Sequence, residues 1–194
     1  MKVIIVKNYE EASQEAAEIF INQVKEKPNS ILGLATGSTP VRMYELLRED
    51  HEKNHTSYKD VKSYNLDEYF GLDASHPQSY HYFMYKNLFN GIDIKDENVH
   101  VPCGQGNIQE NCDEYNKMLA ENPVDIQLLG IGSNGHIGFN EPADVFDPSS
   151  VRPVSSEQMP LRSKHGIAEL RYGSRLLNLP RSLTPCSQSM KHTQ

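Results

Sequence analysis

Three short segments carry the residues whose types and spacing could do chemistry. The richest is Gly132-Ser133-Asn134-Gly135-His136-Ile137-Gly138-Phe139-Asn140-Glu141-Pro142, which overlaps the end of the apolar run DIQLLGIG at residues 125–132. Its glycines let the backbone turn sharply and approach a ligand. His136 titrates near neutrality, and Glu141 is near enough to orient its ring and stabilise its charge. Most lone histidines are packed or solvated, and that reading suits His51, His55, His76, His81, His100, His165 and His192. The company His136 keeps favours function. His136 belongs to no H-x-x-x-H pair and to no Cys/His cluster at ligand spacing, so a metal is not expected there.

The second segment, Thr36-Gly37-Ser38-Thr39-Pro40, joins an apolar run to a helical pattern. A helix start has unpaired N–H groups and a partial positive charge, which suit a phosphate. The Ser38 and Thr39 hydroxyls could donate as well. A plain Ser/Thr helix cap with a first-turn proline accounts for the same residues. The segment is neither a Walker loop nor a G-x-G-x-x-G fingerprint. The third segment is Asp67-Glu68 at a predicted strand end, where alternation points the two carboxylates in opposite directions. One of them could be a base on a carbon acid, or both could belong to a solvated acidic loop.

These segments must be positioned by the elements around them. Residues 2–7 read as a buried strand of Val and Ile. Asn8 then caps a helix to about Lys27, with Glu11 in the capping-box position. Further strands are expected at residues 30–36, 61–66, 99–102 and 125–132. Between them come helices through Met43, Leu46 and Leu47, from Ser79 through Tyr82, Phe83, Tyr85, Leu88 and Phe89, and over residues 108–121. Strands alternating with helices predict right-handed βαβ units, hence an α/β, Rossmann-like parallel sheet of at least five strands with helices on both faces. Ligands of such sheets bind outside the carboxyl ends of the strands. All three segments fall at those ends, so Gly37, Asp67 and His136 are expected on one rim.

Composition narrows the partners. The chain has 194 residues, 37% of them apolar, and a formal charge of −7. That charge disfavours nucleic acid but not a phosphorylated metabolite, which a local backbone nest can hold. The run Val3-Ile4-Ile5-Val6 is too short for a signal peptide or a membrane span. Three cysteines, odd in number and without C-x-x-C spacing, fit a reduced, cytoplasmic setting. Residues 143–194 differ from the rest, with seven basic residues against four acidic, five of the eleven prolines and nine serines. No strand-like run appears there, and the only helical suggestion runs over residues 167–177. The expected division is therefore an α/β domain at 1–142 and an atypical, poorly ordered tail at 143–194.

Taken together, LGLATGSTP (32–40), NLDEYFGL (65–72), HPQSYHYFM (76–84) and LLGIGSNGHIGFNEPA (128–143) closely resemble the glucosamine-6-phosphate deaminase family. The resemblance implies conversion of glucosamine 6-phosphate to fructose 6-phosphate with release of ammonia, part of amino-sugar catabolism. It implies that Asp67 moves a proton between C2 and C1. It further implies that His136 assists ring opening, held by Glu141 and Asn134, and that Thr36, Gly37, Ser38 and Thr39 hold the phosphate. No metal or organic cofactor is implied, and the oligomeric state is left open. A 6-phosphogluconolactonase-like hydrolase shares a phosphate turn and a G-H loop, but it needs neither the D-E-Y carboxylate nor G-F-N-E-P. A non-catalytic sugar-phosphate-binding protein is the third reading. After Ala143 the likeness fails, and the family's lid and phosphate-clamping basic residues find no clear match; Ser174-Arg175 resembles one of them only faintly. The chain as written is therefore expected to be a truncated form with little deaminase activity.

Overall fold

The computed structural model describes residues 2–131, 135, 151–154, 169–172 and 185–186. Helix α1 (Tyr9–Glu26) begins as expected: Asn8 Oδ1 accepts the Glu11 amide at 2.9 Å, and Glu11 reaches back to the Lys7 amide at 2.9 Å. Its buried face is Ser13, Ala17, Phe20 and Val24, spaced three and four apart. Strand β1 (Ile31–Leu34) leads to α2 (Val41–Asn54), β2 (Lys62–Asn65) and a short β3 (Asp67–Tyr69). Helix α3 (Tyr80–Asn87), β4 (Val99–His100), α4 (Ile108–Glu121), β5 (Ile126–Gln127) and β6 (Leu129–Gly130) follow. Beyond them lie β7 (Val151–Val154), β8 (Glu169–Tyr172) and β9 (Pro185–Cys186).

The central sheet runs β4-β2-β1-β5, all parallel, so the α/β architecture is as expected. Alternation along β1 sends Leu32 and Leu34 into one cluster with α1, α2 and α3. Ile31 packs against the other cluster, built on Tyr64 and on Cys112 and Tyr115 of α4. At the amino edge, Asp125 takes the Lys27 ammonium on both oxygens at 2.7 Å and the Ile31 amide at 2.8 Å, setting β5 beside β1. No helix among the described residues is long and apolar enough to cross a membrane.

Several expectations are corrected. Residues 2–7 form no strand: Val3 and Ile5 are 66% and 92% exposed. High β propensity fits a pleated surface but supplies no ladder, and no described strand pairs with this segment. The parallel sheet accordingly has four described strands rather than five. The predicted strand at 125–132 breaks at Leu128, its first half pairing with β1 and its second with β9. Asp67 and Glu68 lie within a strand rather than a loop, because β8 supplies an antiparallel partner in which Asp67 faces Arg171 in register. Strands also occur beyond residue 143, and β8 falls inside the segment read as helical. Pro153 is tolerated because β7 is the outer strand of β3-β8-β7. Val151 is buried in the Tyr64 cluster, and its amide and carbonyl both bond the Asn116 side chain, at 2.7 and 2.8 Å.

One contact in the sheet makes a direct prediction. Gly33 pairs with Gln127, and a Cβ on Gly33 would run into the buried Gln127 carboxamide. Gly33→Ala is expected to lower unfolding free energy by about 1–3 kcal/mol in urea titrations. Adding Gln127→Ala should restore part of that loss; equal stability of Gly33→Ala and wild type would refute the close approach.

Candidate active site

Parallel pairing of β1 and β2 brings two chain segments out side by side at the carboxyl edge. The ladder ends at Leu34 opposite Asn65, with the Leu66 amide on the Leu34 carbonyl at 3.3 Å. Thr36 and Asp67 come next, and the Thr36 hydroxyl donates to Asp67 Oδ1 at 3.3 Å. Asp67 is only 6% exposed. Tyr44 of α2, wholly buried, sets its hydroxyl on the Ala35 carbonyl at 2.5 Å and accepts the Ala35 amide at 3.2 Å. Burial, with the nearby Asp67 charge adding to it, keeps that phenol protonated far above the usual tyrosine range. The Tyr115 hydroxyl reaches the carbonyls of Asn65 at 2.9 Å and His100 at 3.1 Å, tying the ends of β2 and β4 together.

Glu68 points the other way, as strand alternation requires. Its carboxylate accepts the Tyr80 and His81 amides at 2.8 and 2.9 Å and the Tyr69 amide at 2.8 Å. The Ser79 hydroxyl takes the Tyr82 amide at 2.9 Å, and the Ser79 carbonyl takes Phe83 N at 3.1 Å. All four amides that begin α3 are thus satisfied, two of them by Glu68. Burial pushes the Glu68 carboxyl above the ordinary glutamate range, against the three amide bonds that pull it down.

The turn at 36–40 carries Gly37 at φ 105°, a left-handed conformation that residues with a Cβ adopt only with strain. Pro40 stands at the N-cap of α2 and has no side-chain acceptor, so the expected Ser/Thr self-cap is not formed. The Tyr9 hydroxyl fills that role instead, accepting the Arg42 amide at 3.2 Å. The structure therefore brings Thr36, Gly37, Ser38 and Thr39 to the same rim as Asp67. Asn134, His136 and Glu141 lie outside the described residues, as does Ser174-Arg175. Because β5 is parallel to β1, the chain leaves it at this same rim on its way to residue 131.

Sequence reasoning missed Tyr9, Tyr44 and Tyr115, whose hydroxyls bond backbone and leave no motif. It also passed over the H-E-x-x-H spacing of residues 51–55. His55 ends α2 in a left-handed conformation at φ 58°, and His51 Nδ1 is taken up by the Thr56 carbonyl at 2.7 Å. No three His, Cys, Asp or Glu among the described residues lie close enough together to hold a metal. An open cleft of about 980 Å³, lined by Arg48, His51, His55 and Asp93 among others, sits at this end of α2. With 14 residues in the helix, that is about 20 Å from the glycine turn.

The family of glucosamine-6-phosphate isomerases and 6-phosphogluconolactonases matches residues 7–142, from the start of α1 through the glycine-rich segment. The chain belongs to this family. A glucosamine-6-phosphate deaminase of Thermoanaerobacter sp. (strain X514) is 56% identical over 149 residues, covering 76% of this chain and 59% of the relative. The chain thus spans about three-fifths of the length of the curated relatives it matches. A solved monomeric glucosamine-6-phosphate deaminase superposes with a TM-score of 0.81 at 38% identity, over 89% of this chain and 76% of the other. A 6-phosphogluconolactonase from Leishmania guyanensis shares the fold, with a TM-score of 0.70 at 22% identity over 89% and 75% of the two chains.

Glu68 gives this site its testable consequence. Glu68→Ala leaves three half-buried amides unpaired and should remove about 3 kcal/mol of stability, read from urea unfolding. The wild-type Glu68 carboxyl should titrate above the ordinary value of about 4.3 when followed by its ¹³C shift. The fold then holds this proton to higher pH than the unfolded chain does. The proton-linked part of the stability is thus present below the unfolded value and lost as pH rises through the folded one, while the amide bonds to the carboxylate remain. A midpoint below the ordinary value would contradict this assignment.

Proposed function

We propose that this chain carries the sugar-phosphate site of a glucosamine-6-phosphate deaminase, an aldose–ketose isomerisation with release of ammonia, built within residues 1–142. The observation that carries the reading is the buried Asp67 carboxylate beside the Thr36 hydroxyl, at 3.3 Å, where the glycine turn begins. A base for a carbon acid and an anion-binding turn then share one rim. The relatives named deaminases support the same choice.

The chemistry is acid–base throughout. His136, oriented by Glu141 and Asn134, helps carry the proton from the C1 hydroxyl to the ring oxygen as the C1–O bond breaks, leaving an open-chain aldehyde. Asp67 takes the C2 proton; the electron pair forms the C1–C2 double bond and the aldehyde oxygen takes a proton from water, giving an enolamine. Asp67 returns its proton to C1 while the nitrogen lone pair forms a C–N double bond at C2. Water adds at C2 and ammonia leaves, giving fructose 6-phosphate. The Thr36–Thr39 turn holds the phosphate by hydroxyls and backbone N–H groups, so an acidic protein can bind an anion. The partner is a small amino-sugar phosphate, and the setting is cytoplasmic.

The decisive experiment is solvent exchange of the C2 hydrogen of glucosamine 6-phosphate, with ammonia release and hydrolysis of 6-phosphogluconolactone measured beside it. Exchange and ammonia at a low rate, without lactone hydrolysis, are expected; lactone hydrolysis alone would move the chain to the other branch of its family. Asp67→Asn should lower exchange by about 10²–10⁴-fold with the sugar phosphate still bound. Unchanged exchange in that variant would place the base elsewhere. His136→Asn and Glu141→Gln should slow the closed-ring substrate more than an open-chain analogue. Equal slowing of both would remove these residues from ring opening.

A further inference from the structure

The first turn of α1 grips the first turn of α2 by two adjacent residues. Tyr9 Oη accepts the Arg42 amide at 3.2 Å, donates to the Thr39 carbonyl at 2.9 Å and lies 3.4 Å from the Ser38 carbonyl. Glu10 takes Arg42 Nε on both carboxylate oxygens at 3.0 and 2.9 Å, while Glu45 and Glu49 take its other end at 3.1 and 3.0 Å. The Arg42 guanidinium, two residues past the glycine turn's Pro40, is thus engaged by three glutamates. With Arg42 so engaged, the turn's own backbone and hydroxyl groups are the donors that residues 36–42 leave for an anion.

That makes the direction of each peptide plane in the turn matter. In a trans peptide the carbonyl and the following N–H point opposite ways. With the Ser38 carbonyl drawn towards Tyr9, the Thr39 N–H is sent to the other side. The Thr39 carbonyl, which would repel an anion, is occupied by the same hydroxyl. Pro40 supplies neither a donor nor a cap, so these bonds come from outside the loop. We propose that Tyr9 is a positioning residue for the phosphate turn, its hydroxyl holding the Ser38 and Thr39 carbonyls off the anion side so that the Thr39 N–H faces the phosphate. The inference rests on the sugar-phosphate reading above and adds a residue to it from a separate helix.

The test is an amide NMR titration of the full chain, wild type against Tyr9→Phe, with glucosamine 6-phosphate and separately with inorganic phosphate. Phe keeps the ring and removes only the hydroxyl. Both ligands should shift the Thr39 amide of the wild type. Tyr9→Phe should raise both dissociation constants about five- to tenfold, as loss of one hydrogen bond does, with C2 exchange at saturation within about twofold. Equal dissociation constants in the two proteins, a Thr39 amide that ignores phosphate, or a loss confined to the saturated exchange rate would each overturn the proposal. Wild-type protein whose Thr39 amide answers to phosphate, with the Tyr9→Phe weakening, but which exchanges no C2 hydrogen would support the role of Tyr9 and overturn the deaminase reading instead.

Discussion

The carboxylate of Glu68 on the start of α3 is the interaction on which the rest of the site depends. A strand with two adjacent acids can present only one of them to a cleft. The three amides waiting on the far side decide which. Because Tyr69, Tyr80 and His81 all donate to Glu68, β3 is held with Asp67 turned back towards Thr36. The helix gains an acceptor near its positive end, and the strand gains a fixed orientation. Burial of a carboxylate is normally unfavourable; here the donors it receives keep it in place while its affinity for a proton rises.

Around that point the fold repeats one economy: hydroxyls from helices hold the ends of strands. Tyr44 holds Ala35 just past β1, Tyr115 spans the ends of β2 and β4, and Tyr9 holds the turn before α2. Strand ends at the carboxyl edge of a parallel sheet have carbonyls and amides without ladder partners. Aromatic residues with a polar tip satisfy them, and the rings of Tyr44 and Tyr115 fill the core at the same time. The rim is thereby tied down at the place where the proposed phosphate turn and base would have to keep a set separation for proton transfer to a positioned carbon.

Much of this could be read from residue order, and the part that could not has a physical reason. Caps at Asn8 and Ser79 carry local signals, since donor and acceptor lie three residues apart, and both formed as read. Strands β1, β2 and β4 lie within the segments expected at 30–36, 61–66 and 99–102, whose helical partners sit beside them in sequence. Residue order alone left the choice between Asp67 and Glu68 open, and only the family resemblance pointed to Asp67, because the choice depends on α3 amides twelve and thirteen residues from Glu68. Residues 2–7 misled because Val and Ile signal burial only when a neighbouring strand exists. Strands β7 and β8 escaped because their partners are each other, α4 and β3, not anything local. Asn134, His136 and Glu141 were read from a motif alone, and their assignment rests there.

Amide hydrogen exchange at Tyr80, His81 and Tyr82, compared between wild type and Glu68→Ala, tests the central interaction most directly. Tyr80 and His81 depend on Glu68, whereas Tyr82 depends on Ser79 and serves as an internal control. The account predicts that Tyr80 and His81 are protected in the wild type and lose about tenfold or more of that protection relative to Tyr82 in the variant, the worth of roughly one hydrogen bond each. Equal loss at all three amides, or none at any, would contradict it.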